Sequence, residues 1–289
     1  MNVKQLTLNP PDFPKDLSDI SPPAKQLFIL TANDVNELFA RPSVTVIGSR
    51  KVSAYGREVT AHLAGELARS GVVIISGLAI GVDSIAHQAA LDAGGLTIAV
   101  LPSGFEHIYP AGHRGLARQI IEQGGALISE YTPDTPIAYK GNFIARNRIA
   151  SGLCDAVLIT EAAAKSGTLH TAQFAIEQGK EVLAVPGNIT SPTSTGTNNL
   201  IKSGATPVTS TTDIFHVLGL TQKGRASVAP KGANPNEQTV LDLLVGGTSD
   251  GTTLQTQSEL SLPVFNQTLT MLEIRGLVRP LGNNQWGLQ

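Results

Sequence analysis

The feature that most constrains the fold of this chain is a series of six short, unbroken apolar runs separated by helix-length segments that end at glycine. The runs are VTVI (44–47), VVIIS (72–76), TIAVL (97–101), ALIS (126–129), AVLIT (156–160) and EVLAV (181–185). A strand with one face in water alternates polar and apolar residues. A strand that does not alternate needs cover on both faces, as in a parallel sheet between two layers of helices. The intervening segments 57–70, 83–93 and 168–178 stop at Gly71, Gly94 and Gly179, where a left-handed residue closes a helix. The pattern predicts an α/β chain: an extended, Rossmann-like, doubly wound and mostly parallel sheet with right-handed crossovers.

The two ends are organised differently. The first forty residues carry paired prolines at Pro10-Pro11 and Pro22-Pro23; LFIL (27–30) is expected to add a strand and 33–38 a short helix. The stretch 219–235 is small, polar and aperiodic and reads as a linker. Beyond it, helices are expected over 237–245, 254–260 and 263–275, then LVRPL, a turn at Gly282-Asn283-Asn284, and QWGL. Three helices and a hairpin in this order suit a winged helix. The expected division is therefore 1–218, with 1–40 as an irregular extension, a linker at 219–235, and a winged-helix domain at 236–289. An unrelated small α+β domain is the alternative for the tail.

Composition narrows the function. With 289 residues and a net charge of −2, the chain is not coated in positive charge, so a polyanion must be held by a local patch. The single cysteine, Cys154, excludes an internal disulfide and a multi-thiolate metal site. No basic segment followed by an apolar run opens the chain, and no stretch reaches membrane-spanning length; a soluble, cytoplasmic protein is expected. The turn after VTVI reads GSRKVS, which is neither a dinucleotide fingerprint nor a Walker loop, and no cofactor is expected. The six histidines form no metal-ligand motif, and Ser166 and His170 on one helix do not make a triad. With no metal site and no catalytic set in view, binding is favoured over catalysis.

In an open parallel sheet, ligands bind beyond the carboxyl ends of the strands, where loops enter helices. Those loops carry Gly48-Ser49-Arg50-Lys51, Gly77 to Gly81 with Asp83 as the expected helix cap, Pro102 to Gly104, Glu161 to Ser166-Gly167-Thr168, and Pro186 to Asn188. Glycine-rich turns and free helix amides favour anions, phosphate above all. Just before AVLIT, KGNFIARNRIASG (140–152) brings Lys140, Arg146 and Arg148 together with Phe143 and without one acid. Cations along a path with a ring for stacking are what a single nucleic-acid strand requires. An amphipathic helix with solvated arginines is the plainer reading.

Together these loops resemble the DNA-processing protein A (DprA, or Smf) family. The matching stretches are VTVIGSRKVSAYG, SGLAIGVDSIAH, TIAVLPSGFEHIYP, ISEY, FIARNRIASGL, EAAAKSGTLHTAQFAIEQGKEVLAVPG and TGTNNLIKSGA, over roughly 13–218. The tail also resembles the winged-helix domain that many members carry. The resemblance implies a non-enzymatic, homodimeric protein that holds and protects single-stranded DNA and loads the RecA recombinase in natural transformation or recombination. It implies DNA contacts at Gly48, Ser49 and Arg50, and at Lys140, Phe143, Arg146, Asn147 and Arg148, with Ser166, Gly167, Thr168 and Lys202 adding to them.

Three departures point to weaker binding than is typical of the family: Ile80 where a basic residue is common, Ile144 in place of a proline, and only about forty residues before GSR where many members have a helical domain. The poorly basic segment 262–276 argues against duplex recognition and leaves a protein-contact or packing role open. A nucleotide phosphoribohydrolase on a similar sheet is the enzymatic alternative, with Glu161 as the nearest carboxylate. A winged-helix transcription regulator with a ligand sensor is a third reading.

Overall fold

The computed structural model describes residues 4–8, 13, 17, 20–137, 141–220, 231–282 and 284–288, grouped into two compact units, Met1–Leu220 and Thr221–Gln289. Most of the expected linker, 221–230, lies outside the described residues.

The first unit is built on a nine-stranded sheet. In chain order its elements are β1 (Lys4–Leu8), β2 (Leu27–Thr31), α1 (Val35–Phe39), β3 (Ser43–Gly48), α2 (Ala54–Arg69), β4 (Val73–Ser76), α3 (Val82–Asp92) and β5 (Thr97–Leu101). Then come α4 (Arg114–Glu122), β6 (Ala126–Ser129), α5 (Gly141–Gly152), β7 (Ala156–Glu161), α6 (Thr168–Glu177), β8 (Glu181–Ala184), α7 (Thr195–Lys202), β9 (Thr206–Pro207) and α8 (Thr211–Val217). The spatial order is β1-β2-β6-β5-β4-β3-β7-β8-β9, parallel from β6 to β9 and antiparallel where β1 and β2 are added at the edge. All six apolar runs are strands of this sheet. Side chains of one strand go alternately to two cores: Val44 and Val46 join Leu63, Leu67 and Ala86 on one face, while Ile47 joins Ile149, Ala172 and Ala175 on the other. Full burial of one such leucine, Leu67 for instance, contributes roughly 1.5–3 kcal/mol, which is why apolar residues dominate the runs; the buried Thr45 within VTVI donates its hydroxyl to Ala150 O at 2.7 Å. Gly71, Gly94 and Gly179 all have positive φ, as closing residues of helices require.

The chain leaves β3 in one direction across the sheet, to β4, β5 and β6, and later returns to β3's other side as β7 before moving outward to β8 and β9. The loops after β3 and β7 therefore diverge to opposite faces and leave a crevice between them.

The second unit contains α9 (Pro235–Val245), α10 (Gly251–Gln257), α11 (Leu262–Ile274) and an antiparallel pair, β10 (Val278–Gly282) with β11 (Gln285–Leu288). Val240, Leu241, Leu254, Phe265, Leu269, Leu272 and Val278 form its core. The middle helix starts three residues before the expected Leu254. The Asp250 side chain accepts the Thr253 amide and nucleates the turn there, and Glu259, with φ of 56°, ends the segment. Among the described residues no helix is long and apolar enough to cross a membrane.

Candidate nucleic-acid interface

A cleft of about 750 Å³ opens at the crevice beyond the ends of β3 and β7. Its wall is formed by Gly48, Ser49, Arg50 and Lys51 from the loop after β3, by Phe143, Arg146 and Asn147 from α5, and by Ser166, Gly167 and Thr168 at the start of α6. These sequence-nominated residues are far apart in the chain, and the fold brings them to one place. The GSR loop is held from both sides: the Ser49 amide donates to Glu161 O at 2.8 Å, and the Thr168 hydroxyl donates to Gly48 O at 3.0 Å. Gly81 lies against it, with φ of 89° and no space for a side chain beside Ser49 O.

Arg50 is exposed, and its guanidinium stands over the Phe143 ring at 5.3 Å from the centroid, within cation–π range. Tyr109 meets the same ring edge-on, at 5.6 Å and 74°. The ring is therefore fixed by a cation and a second aromatic. Lys51 adds an exposed cation on the same rim. Sequence reasoning missed Tyr109 because a lone aromatic in a distant loop has no local signature; its inclusion in the matching stretch TIAVLPSGFEHIYP was the available signal. His170, which the sequence excluded from a triad with Ser166, also lies on the wall.

Beneath this rim sits Arg146. Its guanidinium is buried and donates to Gly77 O at 2.5 Å and Val100 O at 2.7 Å, and a side chain at Gly77 would collide with it. Asp83 is buried nearby. It does not cap α3, as the sequence suggested: Gly81 occupies the cap position, while the Asp83 carboxylate accepts the amides of Gly77 and Ala79. Burial pushes the Asp83 carboxyl up, against Arg146 and the two amides, which pull it down. Burial likewise pulls the Arg146 guanidinium down, and Asp83 opposes it. The loop they hold includes Leu78 at φ of 58°, whose carbonyl is hydrogen-bonded to His113 Nδ1 at 2.7 Å. Such backbone costs on the order of 1–3 kcal/mol and persists only where neighbours impose it.

The structure separates Arg148 and Lys202 from the cleft. Arg148 turns away and pairs with Glu130 at 2.6 Å, also donating to Pro22 O at 2.7 Å. Its acid partner comes from another segment, which a search of neighbouring sequence positions does not find. Lys202 is exposed in the last turn of α7, off the cleft wall. Lys140 lies outside the described residues. Ile80 and Ile144 are both exposed. Glu161 is buried with its carboxylate accepting the Ser53 amide and hydroxyl at the start of α2, off the cleft wall. Among the described residues, no group of three or more His, Cys, Asp or Glu is arranged to hold a metal ion.

The sequence profile of the DNA recombination-mediator protein A family matches residues 4–219, which contain the whole cleft. The chain belongs to this family. It is 49% identical over 176 residues to Protein Smf of Escherichia coli, a match covering 61% of this chain and 46% of Smf. The chain thus spans about half the length of that relative. Two solved structures are similar: DNA processing protein A from Streptococcus pneumoniae, with 38% identity, a TM-score of 0.67 and coverage of 74% of each chain; and DNA processing protein A from Helicobacter pylori, solved for its single-stranded DNA binding mode, with 34% identity, a TM-score of 0.65 and coverage of 74% of this chain and 95% of that one.

Proposed function

We propose that the cleft binds single-stranded DNA and that the chain acts as a recombination mediator, holding and protecting the strand for loading of RecA. The observation that carries this reading is the Arg50–Phe143 pair at the topological switch point: one exposed cation placed on one held ring. A phosphate meeting Arg50 and a base stacking at Phe143 would be engaged by one joined unit, while Lys51 and the amides at the start of α6 favour the adjoining backbone. Because stacking tolerates any base, the site would bind strands with little sequence preference. The DNA-facing set we assign is Gly48 to Lys51, Phe143, Asn147 and Ser166 to Thr168, with Lys140 added by family resemblance. Arg146, Gly77 and Gly81 act as support for that surface. We assign the protein no catalytic role, and homodimerisation and the RecA contact follow from the family resemblance.

The test is a titration of fluorescent oligothymidine across a salt series, with a matched duplex as control. Arg50→Ala is expected to weaken binding and to lower the slope of log K against log salt by about 0.7, the amount for one phosphate contact with a single strand. Absent strand binding at low salt, or binding indifferent to Arg50→Ala, would overturn the assignment. Arg148→Gln gives the contrasting result: leaving Glu130 without its partner is expected to remove roughly 3–5 kcal/mol of stability, read by urea unfolding, while the salt slope of the folded protein stays at the wild-type value.

For the second unit we propose a winged-helix domain used for protein contact. Arg275, the basic residue at the end of α11, is ion-paired with the buried Glu237, and the exposed residues of α11 include Leu262, Met271 and Ile274. The exposed residues of α11 include no cation, where phosphate binding calls for several.

A further inference from the structure

The basic cleft continues beyond Lys51. A second cleft of about 520 Å³ lies beyond it, with Ser53, Tyr55, Pro186, Asn188 and Ser191 on its wall. The same two chain segments wall both clefts: Lys51 and Thr193 line the first, Ser53 and Ser194 the second, and the hydroxyls of Ser191 and Thr193 are hydrogen-bonded at 2.9 Å across the junction.

The chemistry of the two clefts differs. The wall of the second carries no charged side chain. Glu161, nearest in the hydrogen-bond network, is buried and spends its carboxylate on Ser53, and the exposed Glu58, one turn along α2 from Tyr55, is not on the cleft wall. The second cleft therefore suits the uncharged part of a nucleotide. Tyr55 supplies the surface for it: the side chain is 48% exposed, and its hydroxyl donates to Pro186 O at 2.9 Å, which ties the ring down by one end and leaves the rest open. An aromatic held in this way loses little conformational freedom on contact with a ligand. The opposite wall is equally fixed. Asn198 clasps Gly187 through both its amide and its carbonyl, and a side chain at position 187 would collide with Ser194.

We propose that the Tyr55 cleft is a second nucleobase subsite, which takes a following base of a single strand already held in the basic cleft, with Lys51 at the intervening phosphate. The inference rests on the single-strand reading of the first cleft and extends it. It predicts a dependence on strand length that the first cleft alone does not produce.

The experiment measures the affinity of oligothymidines of roughly 2 to 16 nucleotides, a range that brackets known site sizes, for wild type, Tyr55→Ala and Tyr55→Phe. Tyr55→Ala is expected to bind the shortest oligomers as wild type does and to lose about 5- to 100-fold on those long enough to fill both clefts. Tyr55→Phe, which keeps the ring, is expected to retain most of the gain with length. Wild-type affinity that rises with length and is unchanged in Tyr55→Ala would overturn the second subsite alone, as would an equal loss at every length. Failure of wild type to bind any length would overturn the reading of the basic cleft, and this proposal with it.

Discussion

Replacing Arg146 with alanine is expected to lower the unfolding free energy of the first unit by about 3–5 kcal/mol, the usual consequence of leaving a buried opposite charge uncompensated. The guanidinium is the cation that opposes the burial of Asp83, and it donates to Gly77 O and Val100 O, joining the loop after β4 to the end of β5. Alanine would leave Asp83 without that charge and both carbonyls without that donor. Whole domains are stable by only about 5–15 kcal/mol, so the variant should unfold at a clearly lower urea concentration. The sole tryptophan, Trp286, is in the second unit, so circular dichroism of the helices is the better probe. A loss below about 1 kcal/mol would show that Arg146 is not structural and would return it to the DNA-facing set.

Phe143→Ala is expected to have the largest effect on binding, a loss of roughly 1–3 kcal/mol, or about 5- to 150-fold in affinity for oligothymidine. Two effects act together. The stacking surface is removed, and Arg50 loses the ring that positions it at 5.3 Å. Because the arginine keeps its charge, the salt slope should change little while affinity falls at every salt concentration, which separates loss of stacking from loss of a phosphate contact. Tyr109, edge-on to the same ring, should be partly released in the variant. An unchanged affinity, or a loss confined to low salt, would show that the ring serves only to pack the rim.

The layers of the fold were legible because the information is local. Each apolar run had to be a strand covered on two faces, and each closing glycine marked where a helix stops; the cores that receive Val46 on one face and Ile47 on the other show the consequence. The second helix of the tail was displaced because Asp250 takes the cap, a choice among several polar residues that no periodicity distinguishes. The loops of the site were legible for a related reason: an open parallel sheet puts its ligand crevice at strand ends, so the segments could be nominated before any coordinate was known.

The role of each side chain within those segments was not legible. KGNFIARNRIASG presents two arginines in near-equivalent sequence surroundings, yet Arg146 is buried beneath the rim and Arg148 pairs with Glu130. The exposed arginine that stacks on Phe143 is Arg50, from a loop far away in the chain. Asp83, placed by sequence at a helix cap, serves the loop before the helix, and Tyr109 enters the site from a segment with no basic residue beside it. By itself, then, the sequence determined which elements form and which loops converge, since hydrophobic periodicity and backbone propensity act over a few residues. Only the tertiary structure decided which cations face a ligand and which are neutralised, because charge partners and desolvation are set by groups that meet in space from separate parts of the chain.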